Sequence, residues 1–133
     1  MVHATARRAQ NEELLAYKSL EDEVLTRRIQ AVRDALGPQL LILGHHYQRD
    51  EVIALSDLRG DSYKLSEMAA ASTECRAIAF CGVHFMAETA DILANRPERL
   101  AERGGQRVPV ILPDMSAGCS MADMAEVDEV EDC

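Results

Sequence analysis

The sequence predicts an α/β fold: a three-layer αβα sandwich built around a small parallel sheet. Three short apolar runs, at residues 40–43, 77–81 and 108–112, punctuate the chain. None alternates polar with apolar residues, the pattern expected of strands buried on both faces of a parallel sheet. Segments of helical character separate the runs, and strands that alternate with helices build right-handed βαβ units whose helices cover the sheet.

Residues 11–36 are expected to form one long helix. Leu25, Ile29, Val32 and Leu36 are spaced four, three and four apart and so share a face. Gly37 at C′ and Pro38 just beyond end it. The chain is therefore divided into an N-terminal helical segment, 1–38, and an αβα domain, 39–133. Helices over 50–58 and 62–72 lead from the first strand to the second, and a helix over 84–94 leads to the third. Pro109 lacks a ladder donor, so the third run is an edge strand or begins just after the proline. The charged stretch 96–107 reads as surface. A last helix is expected to begin near Cys119 and run into the acidic end, where Glu126, Asp128, Glu129, Glu131 and Asp132 read as a solvated face.

A length of 133 residues fits one ordinary domain. With 47% hydrophobic residues, 4% aromatics and no Trp, the core must come from Ala, Val, Leu, Ile and Met. Asp and Glu outnumber Lys and Arg by 23 to 14, for a net charge of −9. Such a surface repels phosphate backbones, which sets nucleic acid aside. No stretch approaches the ~18 apolar residues of a membrane span, and residues 1–10 lack a signal-peptide core. The expected location is cytoplasmic, where four cysteines argue against a disulfide framework. No pair has C-x-x-C spacing, so a zinc ribbon is not expected.

In a parallel sheet the strand C-termini share one edge, where ligands bind. The segments leaving the three runs are 44–47, 82–84 and 113–119, and the helix starting at Ser62 should begin on the same edge. Cys119, at an expected helix N-terminus, is in a setting that lowers a thiol pKa. It reads as a ligand or nucleophile, or as a buried structural cysteine. Cys133 would lie ~21 Å away along a helix, too far to share a centre whose metal–sulfur bonds are ~2.3 Å. The chain thus cannot complete a metal site alone. Cys81, at the end of the second run and nearer the ligand edge, is the runner-up to Cys119 but reads first as a small core hydrophobe, and Cys75 reads as a helix-end residue without a role.

Strand alternation would send His45 and His46 to opposite faces, away from a shared metal, and would point His45 and Tyr47 the same way. A His and a Tyr on one face suit anion binding and proton transfer, or form a hydrogen-bonded fringe. Ser62, after Gly60 and Asp61, reads as an N-cap, in a geometry that also makes an anion site. His84 and Glu88 read as an exposed helix contact rather than a metal pair. Met86, Met115, Met121 and Met124 read as core or pocket lining.

Four segments occur in order: His45-His46-Tyr47-Gln48, Gly60-Asp61-Ser62, Gly82-Val83-His84-Phe85-Met86-Ala87-Glu88-Thr89-Ala90, and Gly118-Cys119-Ser120-Met121-Ala122. The series resembles the first domain of the quinolinate synthase family, from about residue 40 to 123, and the third segment is the most distinctive. The resemblance implies one of three similar αβα domains around a central cavity. Each domain would give one cysteine to a [4Fe–4S] cluster whose fourth iron stays open for substrate.

By that likeness Cys119 matches the first-domain cluster ligand. His45 and Ser62 match residues that hold the small acidic substrate or product, and Tyr47 matches a tyrosine of the same pocket implicated in the catalytic steps. His46 is given no role. The implied reaction condenses iminoaspartate with dihydroxyacetone phosphate to quinolinate, with loss of phosphate and water, in NAD biosynthesis. A functional link to the aspartate-oxidising enzyme that makes iminoaspartate follows. The chain stops before the second and third domains, so alone it is expected to be inactive. Two other readings stand beside this one. One is a module that binds a dicarboxylate or phosphate without turnover; the other is an unrelated small α/β protein whose Cys119 is a nucleophile or redox thiol.

Overall fold

The computed structural model describes residues 15–120, 122 and 124. The chain divides into two compact units between Leu36 and Gly37. In the first, helix α1 spans Asp22–Leu36, with Asp22 and Glu23 in its positively polarised first turn. None of its residues is buried. The expected single helix is broken at residues 19–21. Ser19 Oγ donates to Ala16 O at 2.8 Å and Leu20 N to Tyr17 O at 3.1 Å, local bonds that compete with helix continuation. Residues 11–14 of that expectation lie outside the described residues. Gly37 ends α1 with φ +53°, the left-handed conformation that suits glycine at C′.

The second unit runs β1 (Leu40–His45), α2 (Asp50–Ala54), β2 (Leu58–Gly60), α3 (Ser62–Ala71), β3 (Ala77–Cys81), α4 (His84–Ala94), α5 (Pro97–Glu102) and β4 (Val110–Ile111). The four strands form one sheet in the order β2-β1-β3-β4, and every pairing is parallel. Paired residues share a face, and Leu41 and Leu43 pair with Ile78 and Phe80. That face carries the core, where Leu43, Ile78 and Phe80 meet Leu65 and Ala69 of α3 and Met86, Ala87, Ala90 and Ala94 of α4. On the opposite face, Gly44 lies against Ile53 of α2 and the following Ser56, so close that a Cβ there would overlap the Ser56 hydroxyl. Helices thus cover both faces of the parallel sheet, as the sequence predicted.

Several elements differ from expectation. The helix expected over 50–58 ends at Ala54, and residues 58–60 form the unanticipated β2. Asp57 makes the switch: its amide donates to Ile42 O at 2.8 Å and its carboxylate accepts from Ile42 N at 2.7 Å. These bonds dock the chain beside β1 and start the ladder. β4 begins after Pro109 and lies at the sheet edge, and the Pro109 carbonyl accepts from Ile78 N at 3.0 Å. A short helix, α5, occupies part of the stretch expected as plain surface, with Pro97 in its first turn. Cys75 is no bystander; at 3% exposure it belongs to the core.

Residues 118–120, 122 and 124 are irregular or in turns, so they do not form the helix expected from Cys119 onward. The remainder of that helix, including Cys133 and the acidic end, lies outside the described residues. Among the described residues no helix is long and apolar enough to cross a membrane.

Candidate functional site

The strand order places a topological switch point between β1 and β3. The chain leaves β1 toward β2 on one side, and leaves β3 toward β4 on the other. Connections diverging from neighbouring strand ends open a crevice at the C-terminal edge, where ligands of such sheets bind. A pocket of about 330 Å³ lies there. After β1 it is lined by His45, Tyr47 and Gln48, after β3 by Gly82, Val83 and Met86, and from the later loop by Gly118, Cys119 and Ser120. Three predicted residues, His45, Tyr47 and Cys119, therefore meet in one cavity. Ser62 does not line it.

His45 ends β1 and is buried, 6% exposed. The strand gives way to a turn closed by Gln48 N donating to His45 O at 2.9 Å. The turn overrides alternation, so the expectation that His45 and His46 point apart fails: their rings stack at 4.5 Å between centroids. Tyr47 meets His45 edge-on at 5.0 Å and His46 at 4.4 Å. Its amide donates to His45 Nδ1 at 3.4 Å, which leaves the proton of the neutral ring on Nε2. Burial holds the His45 imidazole below its ordinary value; the neighbouring His46 lowers it further, and Asp61 acts in the opposite sense. The outcome is a neutral ring with an Nε2–H donor beside an 82% exposed tyrosine.

Ser62 is the first residue of α3, but the cap is its neighbour. Asp61 Oδ1 accepts from Lys64 N at 2.8 Å, so the N-cap assignment moves one residue back. Asp is as good a cap as Ser, so the sequence Gly60-Asp61-Ser62 already held both options. The Ser62 carbonyl accepts from the buried Ser66 hydroxyl at 2.9 Å, tying the first turn of α3 together.

Cys119 is half-buried and, among the described residues, is the one cysteine in the pocket lining. Cys81 is also half-buried, its thiol pushed up by burial, and it does not line the pocket. Among the described residues no group of three or more His, Cys, Asp or Glu is arranged to hold a metal ion. A metal group held at this pocket through Cys119 would need further ligands from beyond the described residues.

His84 Nδ1 and Glu88 Oε2 lie 3.6 Å apart with both side chains more than half exposed, the helix contact expected of them. Met86 is core and pocket wall together, Met115 is exposed and lines a second pocket with His84 and Leu112, and Met124 is exposed. Met121 lies outside the described residues. Gln48, Ser120 and Asp61 stand in the sequence only as members of longer segments; the turn after β1 and the switch point bring Gln48 and Ser120 to the pocket, and the start of α3 makes Asp61 its cap.

Comparison with known proteins gives a consistent result. The family model of the quinolinate synthetase A protein (NadA) matches residues 27–133. A quinolinate synthase from Rhodopirellula baltica is 71% identical over 118 residues, 89% of this chain and 30% of that protein. One from Acidobacterium capsulatum is 53% identical over 117 residues, covering 88% of this chain and 28% of the relative. One from Corynebacterium glutamicum is 51% identical over 117 residues, covering 88% and 27%. The chain spans less than a third of the length of these relatives.

Proposed function

The chain belongs to the quinolinate synthetase A family, and we propose that it forms the first of three similar αβα domains of an enzyme that condenses iminoaspartate with dihydroxyacetone phosphate to quinolinate. The observation that carries this reading is the convergence of His45, Tyr47 and Cys119 on one pocket at the switch point of a parallel sheet. In the proposal Cys119 holds one corner of a [4Fe–4S] cluster, and cysteines of the other two domains hold the rest. When bound, the cluster supplies an open iron, a Lewis acid for a departing hydroxyl.

The chain's own residues bind and move protons. Neutral His45 offers Nε2–H to a substrate carboxylate, a hydrogen bond that carries no charge to be lost as pH rises. The Tyr47 phenol, on the open side of the pocket, sits where it can relay a proton to or from the ligand. Ser62 and the leading amides of α3 suit a second anionic group. Because Ser62 lies outside the pocket lining, it serves only a ligand that extends past His45 toward Asp61. The cytoplasm is the setting this activity requires, with an aspartate-oxidising enzyme as the source of iminoaspartate.

The test uses the full-length protein. Anaerobic reconstitution should give a brown cluster, and Cys119→Ala should lose both the cluster and quinolinate formation. A variant with full iron content and wild-type quinolinate output overturns the assignment. The 133-residue chain alone should make no quinolinate, since one corner ligand does not hold a cluster; turnover by it refutes the three-domain reading.

A further inference from the structure

We infer that His46 is a positioning residue, which bolts the His45–Tyr47 pair to the turn that carries Asp61 and Ser62. The inference rests on the reading of this pocket as the substrate site. His46 does not line the pocket. Its influence runs through two neighbours and one carbonyl.

The carbonyl is that of Gly60. It accepts the His46 backbone amide at 3.1 Å and the His46 ring Nδ1 at 3.0 Å. A carbonyl only accepts, so Nδ1 carries a proton. His46 Nδ1 thus donates, where His45 Nδ1 accepts. Gly60 is the register partner of His45 and the residue before Asp61, the α3 cap. One exposed side chain thus joins the end of β1 to the start of α3, across the gap between His45 and Ser62.

The neighbours are the rings of His45 and Tyr47. The three centroids form a closed triangle with sides of 4.5, 5.0 and 4.4 Å. Tyr47 is 82% exposed, and its side chain is oriented by these two ring contacts. An exposed phenol held by one ring instead of two samples more rotamers, and a ligand must then order it on binding. Removing His46 leaves the pocket wall in place and loosens what stands on its rim.

Three substitutions separate the two contributions. His46→Ala removes the ring and the donor; His46→Phe keeps a ring without a donor; His46→Asn keeps a side-chain N–H without a ring. Quinolinate affinity of the full-length protein, measured by calorimetry, should fall about fivefold in the alanine variant, the cost of ordering one side chain on binding. The phenylalanine and asparagine variants should each recover part of it. Urea stability should stay near wild type in all three, because the side chain is exposed.

An independent readout is the imidazole nitrogen spectrum of His45 together with the ring-proton shifts of Tyr47, recorded without ligand. Both should move in His46→Ala. If wild type does not bind quinolinate, the functional reading falls, and the ligand-free spectra still judge His46. Unchanged His45 and Tyr47 signals in His46→Ala overturn the positioning role. So does an alanine variant that binds quinolinate within twofold of a binding-competent wild type.

Discussion

Replacing Asn95 with alanine should release β4 from α4, and the size of the effect follows from the bonds lost. Asn95 closes α4 and is 7% exposed. Its side chain grips Val108 at both backbone groups: Nδ2 donates to Val108 O at 2.9 Å, and Val108 N donates to Oδ1 at 2.8 Å. Val108 is only 2% exposed, so alanine leaves a buried donor and a buried acceptor without partners. Each such group costs about 1–3 kcal/mol, and partial hydration near an edge strand brings the pair to about 2–4 kcal/mol. The further bonds from Nδ2 to Asp91 matter less, because the Asp91 carboxylate keeps Arg107 at 2.8 Å.

Against a typical domain stability of about 5–15 kcal/mol this is a large fraction. With a slope of about 1–3 kcal/mol per molar urea, the midpoint should fall by about 1–2 M. The Val108 amide should also lose its hydrogen-exchange protection. Asn95→Asp sharpens the test: the carboxylate still accepts from Val108 N, but it cannot donate and it adds charge beside Asp91. That variant should be as unstable as alanine at pH 7 and recover as pH falls, beginning above the ordinary aspartate value of ~3.9 because burial and Asp91 favour the protonated carboxyl, which donates again. A midpoint for Asn95→Ala within about 0.3 M of wild type refutes the reasoning, because it means that water replaces both bonds without cost.

Gly82→Ala places a Cβ 2.8 Å from Cε1 and 3.0 Å from Cδ1 of Phe80, which is fully buried, and 3.3 Å from Met86 Sδ. The peptide must shift, at about 1–3 kcal/mol, and the pocket wall moves with it; unchanged melting would show that Phe80 has room to give. His45 makes stability depend on pH. Its folded value lies below the ordinary 6.5, so above that value the ring is neutral in both states, and as pH falls the unfolded chain takes the proton first. Stability should drop as pH falls from 6.5 through the folded value. His45→Gln should therefore narrow the gap between urea midpoints at pH 7.5 and 5.5, and an unchanged gap would mean that the folded ring is not desolvated.

Much of this was legible in the residues, for identifiable reasons. β3 and α4 match their expected bounds because apolar runs and helix signals there are sharp and bounded by Gly82 and Asn95. Gly37 stops α1 through its own conformation. The failures are places where a partner distant in sequence decides. β2 exists because Asp57 bonds to Ile42, fifteen residues away, and three residues carry no periodicity of their own. The stacking of His45 on His46 depends on where the ladder stops, which alternation does not reveal. The meeting of His45 with Cys119 joins the segments after β1 and β4, which are not neighbours in the sheet, so topology and family likeness could suggest it where local pattern could not.

The missed strand is also the one that locates the chemistry. Three strands in sequence order would run across the sheet in one direction, with every crossover on one face and no crevice between neighbouring strand ends. β2, on the far side of β1, reverses that direction. Connections of fixed hand then put α2 on one face and α3 and α4 on the other, and the loops after β1 and β3 part to leave room between them. So short a strand suffices because its task is register. Leu58 pairs with Leu43 and packs on the core, while Arg59 pairs with Gly44 on the opposite face. A slip of one residue would turn Arg59 into the core and Leu58 out of it. Packing of half-buried Leu58 on the core thus selects the one register that sets Gly60 opposite His45, with its carbonyl in reach of the His46 ring.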